Sequence, residues 1–131
     1  MYSSPLFLRQ VLVAAAFVFA SSFALAAEQP FDAKAFEAAK AAGGPVLVEV
    51  HADWCPVCKE QSAAIDKIVA DPKLAGITRF RVDYDAQKPV VKSFHAKSQG
   101  TLVLFKGNKE VGRSVFETDE PKLRTFLNKA A

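Results

Sequence analysis

The sequence predicts an α/β domain built on a mixed central β-sheet with helices on both of its faces. Runs rich in β-branched residues alternate with segments of helical period in the order α-β-α-β-α-β-β-α. Such alternation makes parallel neighbours, and a final strand pair joined by Gly107-Asn108 adds antiparallel ones. Behind an apolar leader, residues 27–131 form a stretch of 105, a length suited to one hydrophobic core.

The leader comes first. Arg9 is the only charged side chain before Glu28, and Val11–Ala20 is an unbroken run of ten apolar residues. Ser21-Ser22 and the small-residue triplet Ala24-Leu25-Ala26 follow. These are the marks of a secretory signal peptide, with cleavage expected after Ala26, so residues 1–26 are read as leader and 27–131 as the folded domain. An uncleaved membrane anchor is the stronger rival, because Val11–Ala27 reaches 17 residues, the low end of a bilayer span. A buried core helix is the weaker one, since no polar face punctuates the run.

Gln29-Pro30 is read as an irregular lead-in. Asp32 is placed as the N-cap of the first helix because Phe31 and Phe36 have the spacing of a hydrophobic staple. That helix runs to about Ala42, where Gly43-Gly44-Pro45 stops it. Val46–Ala52 (VLVEVHA) is almost continuously apolar, as a buried central strand should be. Cys55 opens a second helix that continues to about Ala70, with Ile65, Ile68 and Val69 on one face and Asp71-Pro72 as its end. Ile77–Tyr84 alternates well enough to be a strand, although Phe80 breaks the strict period. Pro89 starts a short helix holding Val90, Val91 and Phe94. Thr101–Phe105 and Glu110–Phe116 form the hairpin, and Thr118 or Asp119 caps a last helix with Leu123, Phe126 and Leu127 turned inward.

The chain has 17 basic and 14 acidic side chains, a net charge of +3, or +2 without Arg9 and the rest of the leader. Both signs are interspersed and no basic run exceeds two residues, which argues against nucleic acid or an anionic membrane surface as the main partner.

The chemistry concentrates in Trp54-Cys55-Pro56-Val57-Cys58-Lys59, between a buried strand and a helix start. These are the only two cysteines of the chain, and the leader directs them to an oxidising compartment. A structural disulfide across so small a loop would contribute only about 2 kcal/mol. A zinc half-site would need two more ligands, and only His51 and His95 offer imidazole nitrogen. Two inert buried thiols are disfavoured because the turn and helix start are expected to expose at least one. Redox activity fits best. Cys55 is the expected nucleophile, since unpaired N–H groups and the helix dipole favour an anion there, while Cys58 one turn inside is expected to be the more buried. A lowered pKa would also make Cys55 the better leaving group when Cys58 attacks it.

From Phe31 to Ala131 the chain resembles the thioredoxin family. Its segment V-L-V-E-V-H-A-D-W-C-P-V-C-K-E is most similar to the periplasmic C-terminal domain of the transmembrane thiol:disulfide interchange reductase. The resemblance implies a thioredoxin fold, with Cys55 attacking, Cys58 resolving and Trp54 flanking the site. It also places Glu49 where the family carries a buried acid beneath the cysteines, to exchange a proton with the resolving thiol. His51, two residues on, shares that strand face and could tune the site or only pack. The family usually has a cis-proline before the Thr-apolar strand, and here Gly100 stands there, preceded by Gln99. A non-proline cis bond costs about 2.5–4 kcal/mol, so the Gln99–Gly100 bond is expected to be trans and the loop facing Cys55 to differ in shape. Because the family pairs this segment with substrate backbone, Trp54, Pro56, Val57, Gln99 and Gly100 are the candidate substrate-binding residues.

The combined reading is a periplasmic, soluble and monomeric thiol–disulfide oxidoreductase that needs no organic cofactor. Its partners are protein thiols and disulfides, and a membrane electron carrier is the expected donor. Two alternatives stay open. One is a metal-handling module in which Cys55, Cys58 and a histidine hold Cu(I) or zinc. The other is a non-catalytic binding domain, favoured only by the missing proline.

Overall fold

The computed structural model describes residues 27–131. The leader read at residues 1–26 and its cleavage site lie outside them.

The elements are β1 (Glu28–Pro30), α1 (Ala33–Ala41), β2 (Pro45–His51), α2 (Pro56–Val69), β3 (Thr78–Asp83), α3 (Lys88–Ser93), β4 (Thr101–Lys106), β5 (Lys109–Val115) and α4 (Glu120–Asn128). The sheet order is β1-β3-β2-β4-β5. β1, β3 and β2 run parallel, whereas β4 is antiparallel to β2 and β5 to β4. The mixed sheet expected from the sequence is therefore present, with Gly107-Asn108 as the turn between β4 and β5.

β1 is a correction. Three residues with no β-branched side chain and a terminal proline carry no strand signal of their own. They become a strand because β3 offers an open edge, pairing Glu28 with Arg79 and Pro30 with Arg81, and the Phe31 N–H continues onto the Arg81 carbonyl at 2.8 Å. Pro30 is tolerated because β1 is an outer strand.

β2 is central, so both of its faces are covered. Val46, Val48 and Val50 face α1 and α3, where Phe31, Phe36, Phe80, Phe94 and Phe105 pack with ring centroids 5.3–6.3 Å apart. Tilted and edge-on pairs of this kind add about 0.5–1.5 kcal/mol each beyond the area they bury. The staple spacing shows in the Phe31–Phe36 contact at 5.4 Å, and Asp32 caps α1 by accepting the Ala35 N–H at 2.7 Å. Leu47 faces the other side with Ile65 and Ile68 of α2, Leu102 and Leu104 of β4, and Leu123 and Leu127 of α4. Glu49 also alternates to that side, and the following strand end delivers the chain to the start of α2.

Candidate active site

Cys55 is the N-cap of α2, with extended dihedrals (φ −92°, ψ 108°). Its sulfur accepts the Cys58 backbone N–H at 3.2 Å, the place an N-cap oxygen would take. Pro56 follows at the first helical position, where a missing N–H costs nothing and a fixed φ suits the helix. The sulfur is thus held at the positive end of the helix dipole by the sequence C-P-V-C itself.

The two cysteines are not joined, and both are buried, at 3% exposure for Cys55 and 2% for Cys58. The expectation that the turn would expose one of them is corrected, and Cys58 is the more buried by only a narrow margin. Ala52 packs with the two cysteines, and Val57 and Tyr84 close over them from the side. Burial pushes the Cys58 thiol up to about 11, helped by its hydrogen bond to Cys55 and by that neighbour's charge. The backbone N–H groups of Ala52 and Gly100 pull the other way.

Trp54 projects at the rim, 60% exposed. It is not a core residue: its indole N–H donates to the Asp85 carboxylate at 2.7 Å, and its ring stands edge-on to Tyr84 at 6.5 Å. The Lys88 ammonium lies 3.5 Å from the centre of the Tyr84 ring. Pro56 is exposed and Val57 half-buried beside Trp54.

Glu49 is buried in β2 and paired with Arg79 of β3, whose Nε and Nη2 reach its two oxygens at 2.9 and 3.1 Å. The alternative of a sheet-edge acid paired with a lysine is not what the fold provides. Arg79 also reaches outward to Asp66 of α2 at 2.7 Å, a carboxylate 67% exposed. Burial pushes Glu49 up to about 7, although Arg79 pulls in the opposite direction. Burial works against the Arg79 charge in turn, but Glu49 and Asp66 outweigh it and hold the guanidinium protonated. Among the described residues no hydrogen bond joins Glu49 to either sulfur. His51 lies 3.2 Å from the Asp53 carboxylate, and His95, at φ +53°, ends α3 against the phenylalanine face and away from the cysteines.

Gly100 precedes β4 with φ +74° and a trans peptide bond. Its N–H donates to the Val50 carbonyl at 2.7 Å, and its carbonyl accepts the Phe116 N–H at 2.9 Å. Its polar groups are thus engaged within the chain. Gln99, half-buried, keeps its backbone N–H and C=O without a hydrogen bond among the described residues.

Two residues of the site escaped sequence reasoning. Gln61 is buried on α2 and donates its amide to the carbonyls of Gly100 at 3.3 Å and Glu117 at 3.0 Å. A polar residue at the helix spacing of Cys58, Ile65 and Ile68 was the available signal. Phe116, at φ +58°, lays its ring on Gly100, so that a β-carbon there would come within 2.7 Å of the ring. Nothing local in the sequence marks it.

Among the described residues no three His, Cys, Asp or Glu side chains are grouped to hold a metal ion. What the arrangement supplies is a pair of sulfurs one helical turn apart, one supported by a backbone N–H, in an apolar seat with an exposed indole next to it in the chain.

A family model for thioredoxin matches residues 27–129. Thioredoxin of Chlamydia muridarum (strain MoPn / Nigg) is 36% identical over 88 residues, spanning 67% of this chain and 84% of that protein. The crystal structure of Trxlp from Edwardsiella tarda EIB202 superposes with a TM-score of 0.75 at 40% identity, covering 77% of this chain and 98% of that one. Thioredoxin of Malassezia sympodialis, at 22% identity and a TM-score of 0.68 over 79% of this chain and 92% of that one, shares the fold.

Proposed function

The chain belongs to the thioredoxin family of thiol–disulfide oxidoreductases, and from that premise we propose that it reduces disulfides of partner proteins in the periplasm. The observation that carries the reading is the Cys55 sulfur acting as N-cap of α2, 3.2 Å from the Cys58 N–H.

Cys55 as thiolate attacks a sulfur of the partner disulfide, forming a mixed disulfide and releasing the partner's other sulfur as a thiolate. Cys58 then gives up its proton and attacks the Cys55 sulfur, closing the Cys55–Cys58 bond and freeing the second partner thiol. Two electrons pass to the partner, and a membrane electron carrier returns them to the pair. Glu49, buried below α2 with a carboxyl poised near 7, takes the Cys58 proton. Gln99 offers the free backbone groups on which partner backbone pairs, beside Trp54, Pro56 and Val57.

How sparsely the Cys55 sulfur is held supports the reducing direction. A strong oxidant owes its potential to a stabilised reduced form. Here a single backbone N–H supports the Cys55 sulfur among the described residues, with no cation hydrogen-bonded to it. Equilibration with glutathione tests this: a potential near −270 mV fits a reductase, whereas one near −120 mV overturns the direction. The C58S variant should accumulate mixed disulfides with partner proteins and C55S should not. Export is tested on the full chain in cells, where a periplasmic fraction lacking residues 1–26 by mass is expected.

A further inference from the structure

Among the described residues three large apolar side chains are exposed: Trp54, Val115 and Phe116. Trp54 adjoins Cys55 in the chain. Phe116 is brought to the same end of the sheet from far away, through Gly100. Its N–H donates to the Gly100 carbonyl at 2.9 Å and its ring covers the Gly100 α-carbon. Gln61, one turn below Cys58 on α2, holds the carbonyls of Gly100 and Glu117, the residue after Phe116. The backbone that carries the ring is therefore anchored to the helix of the dithiol.

Two features are costly unless the ring has a use. Phe116 sits at φ +58°, a backbone region that a bulky residue rarely adopts, and it leaves 47% of its surface in solvent. The ring also demands glycine at position 100, since any β-carbon there would strike it.

We propose that Phe116 is a specificity-determining residue, its ring forming with Trp54 the surface that receives an apolar side chain next to the disulfide of a polypeptide substrate. This rests on the oxidoreductase reading above. Gly100 has spent its own N–H and C=O within the chain, so next to the free backbone groups of Gln99 it presents the Phe116 ring that lies on it. A neighbouring leucine would gain contact with the ring, and a serine would not.

The test uses two synthetic peptides, each closed by one disulfide and differing only in Leu or Ser before the first cysteine, with hydroxyethyl disulfide as a small reference. Reduced protein should favour the Leu peptide in kcat/KM by about tenfold, the ratio that part-burial of one apolar side chain supports. F116G, in which glycine accepts the positive φ, should bring the Leu/Ser ratio below about twofold, the ratio being read within one protein so that any general loss of turnover cancels. F116L should keep most of the preference. The proposal is overturned if wild type shows no preference or if F116G keeps it. Failure of wild type to exchange with any of the three disulfides would instead sink the oxidoreductase reading itself.

Discussion

Trp54 and Asp85 are tied across the rim of the site, the indole N–H meeting the carboxylate at 2.7 Å from a position 31 residues away in the chain. The bond ties an exposed ring to the far side of the rim, where it also stands edge-on to Tyr84. Trp54 is the only tryptophan, so its fluorescence reports on it alone. Asp85→Ala should speed the indole's anisotropy decay and cost under about 1 kcal/mol of stability, as befits an exposed pair. An unchanged decay would mean the tie does not order the ring.

The raised pKa of Glu49 makes stability depend on pH in a set direction. The folded state binds the Glu49 proton more tightly than the unfolded chain, so its contribution is fully present below about 4.5 and is lost as pH rises through about 7. The stability difference between wild type and E49Q should fall across that window by up to about 3 kcal/mol, read from urea unfolding at several pH values. A flat difference would place the carboxyl in its ordinary range.

Removing Arg79 should be worse than removing the pair. Arg79→Met leaves Glu49 buried without its counter-charge and should cost about 3–5 kcal/mol, while the double variant E49L/R79M, which leaves neither charge inside, should cost less. Thermal or denaturant unfolding of wild type and the two variants decides it; a double variant no more stable than R79M would contradict the coupling.

Reduced protein treated with iodoacetamide near neutral pH should carry its first label on Cys55. Cys58 is pushed up to about 11, so its own labelling in the same protein should come later and keep rising well into alkaline pH. Peptide mass spectrometry gives the order, and equal early labelling of both sulfurs would contradict it.

Gly100 and Phe116 should be coupled in a double-mutant cycle. Gly100→Ala forces a side chain into a positive φ and against the ring, with an expected cost of about 1–3 kcal/mol. The same substitution in an F116G background should cost less, by the share owed to the ring. Equal costs in both backgrounds would show that the ring simply moves aside.

Much of this was legible in the residues. β2 announced itself by a β-branched run, α1 by the Phe31–Asp32–Phe36 cap, and the β4–β5 turn by Gly107-Asn108, because each signal is local. The dithiol and Gly100 were legible for the same reason. β1 was not, since its strand character belongs to the edge of β3. The depth of Cys55 and Cys58 was hidden too, because Tyr84, from after β3, helps to cover them. Glu49 could be picked as a buried acid, but its partner Arg79 lies 30 residues away, and only the β2–β3 register brings them together. Phe116 gave no signal at all, since its position depends on a backbone conformation that its residue type disfavours.

The Gln61 tether reaches carbonyls 39 and 56 residues downstream. A chain arrested before Glu117 has both sulfurs and the start of their helix, yet lacks the second of those anchors. The loop pair beside the dithiol is therefore anchored only when the segment after β5 docks, and contacts of such long sequence separation are the slow ones to close. A truncation anywhere before residue 117 thus keeps the N-capped sulfur and its helix while leaving the neighbouring wall half-anchored.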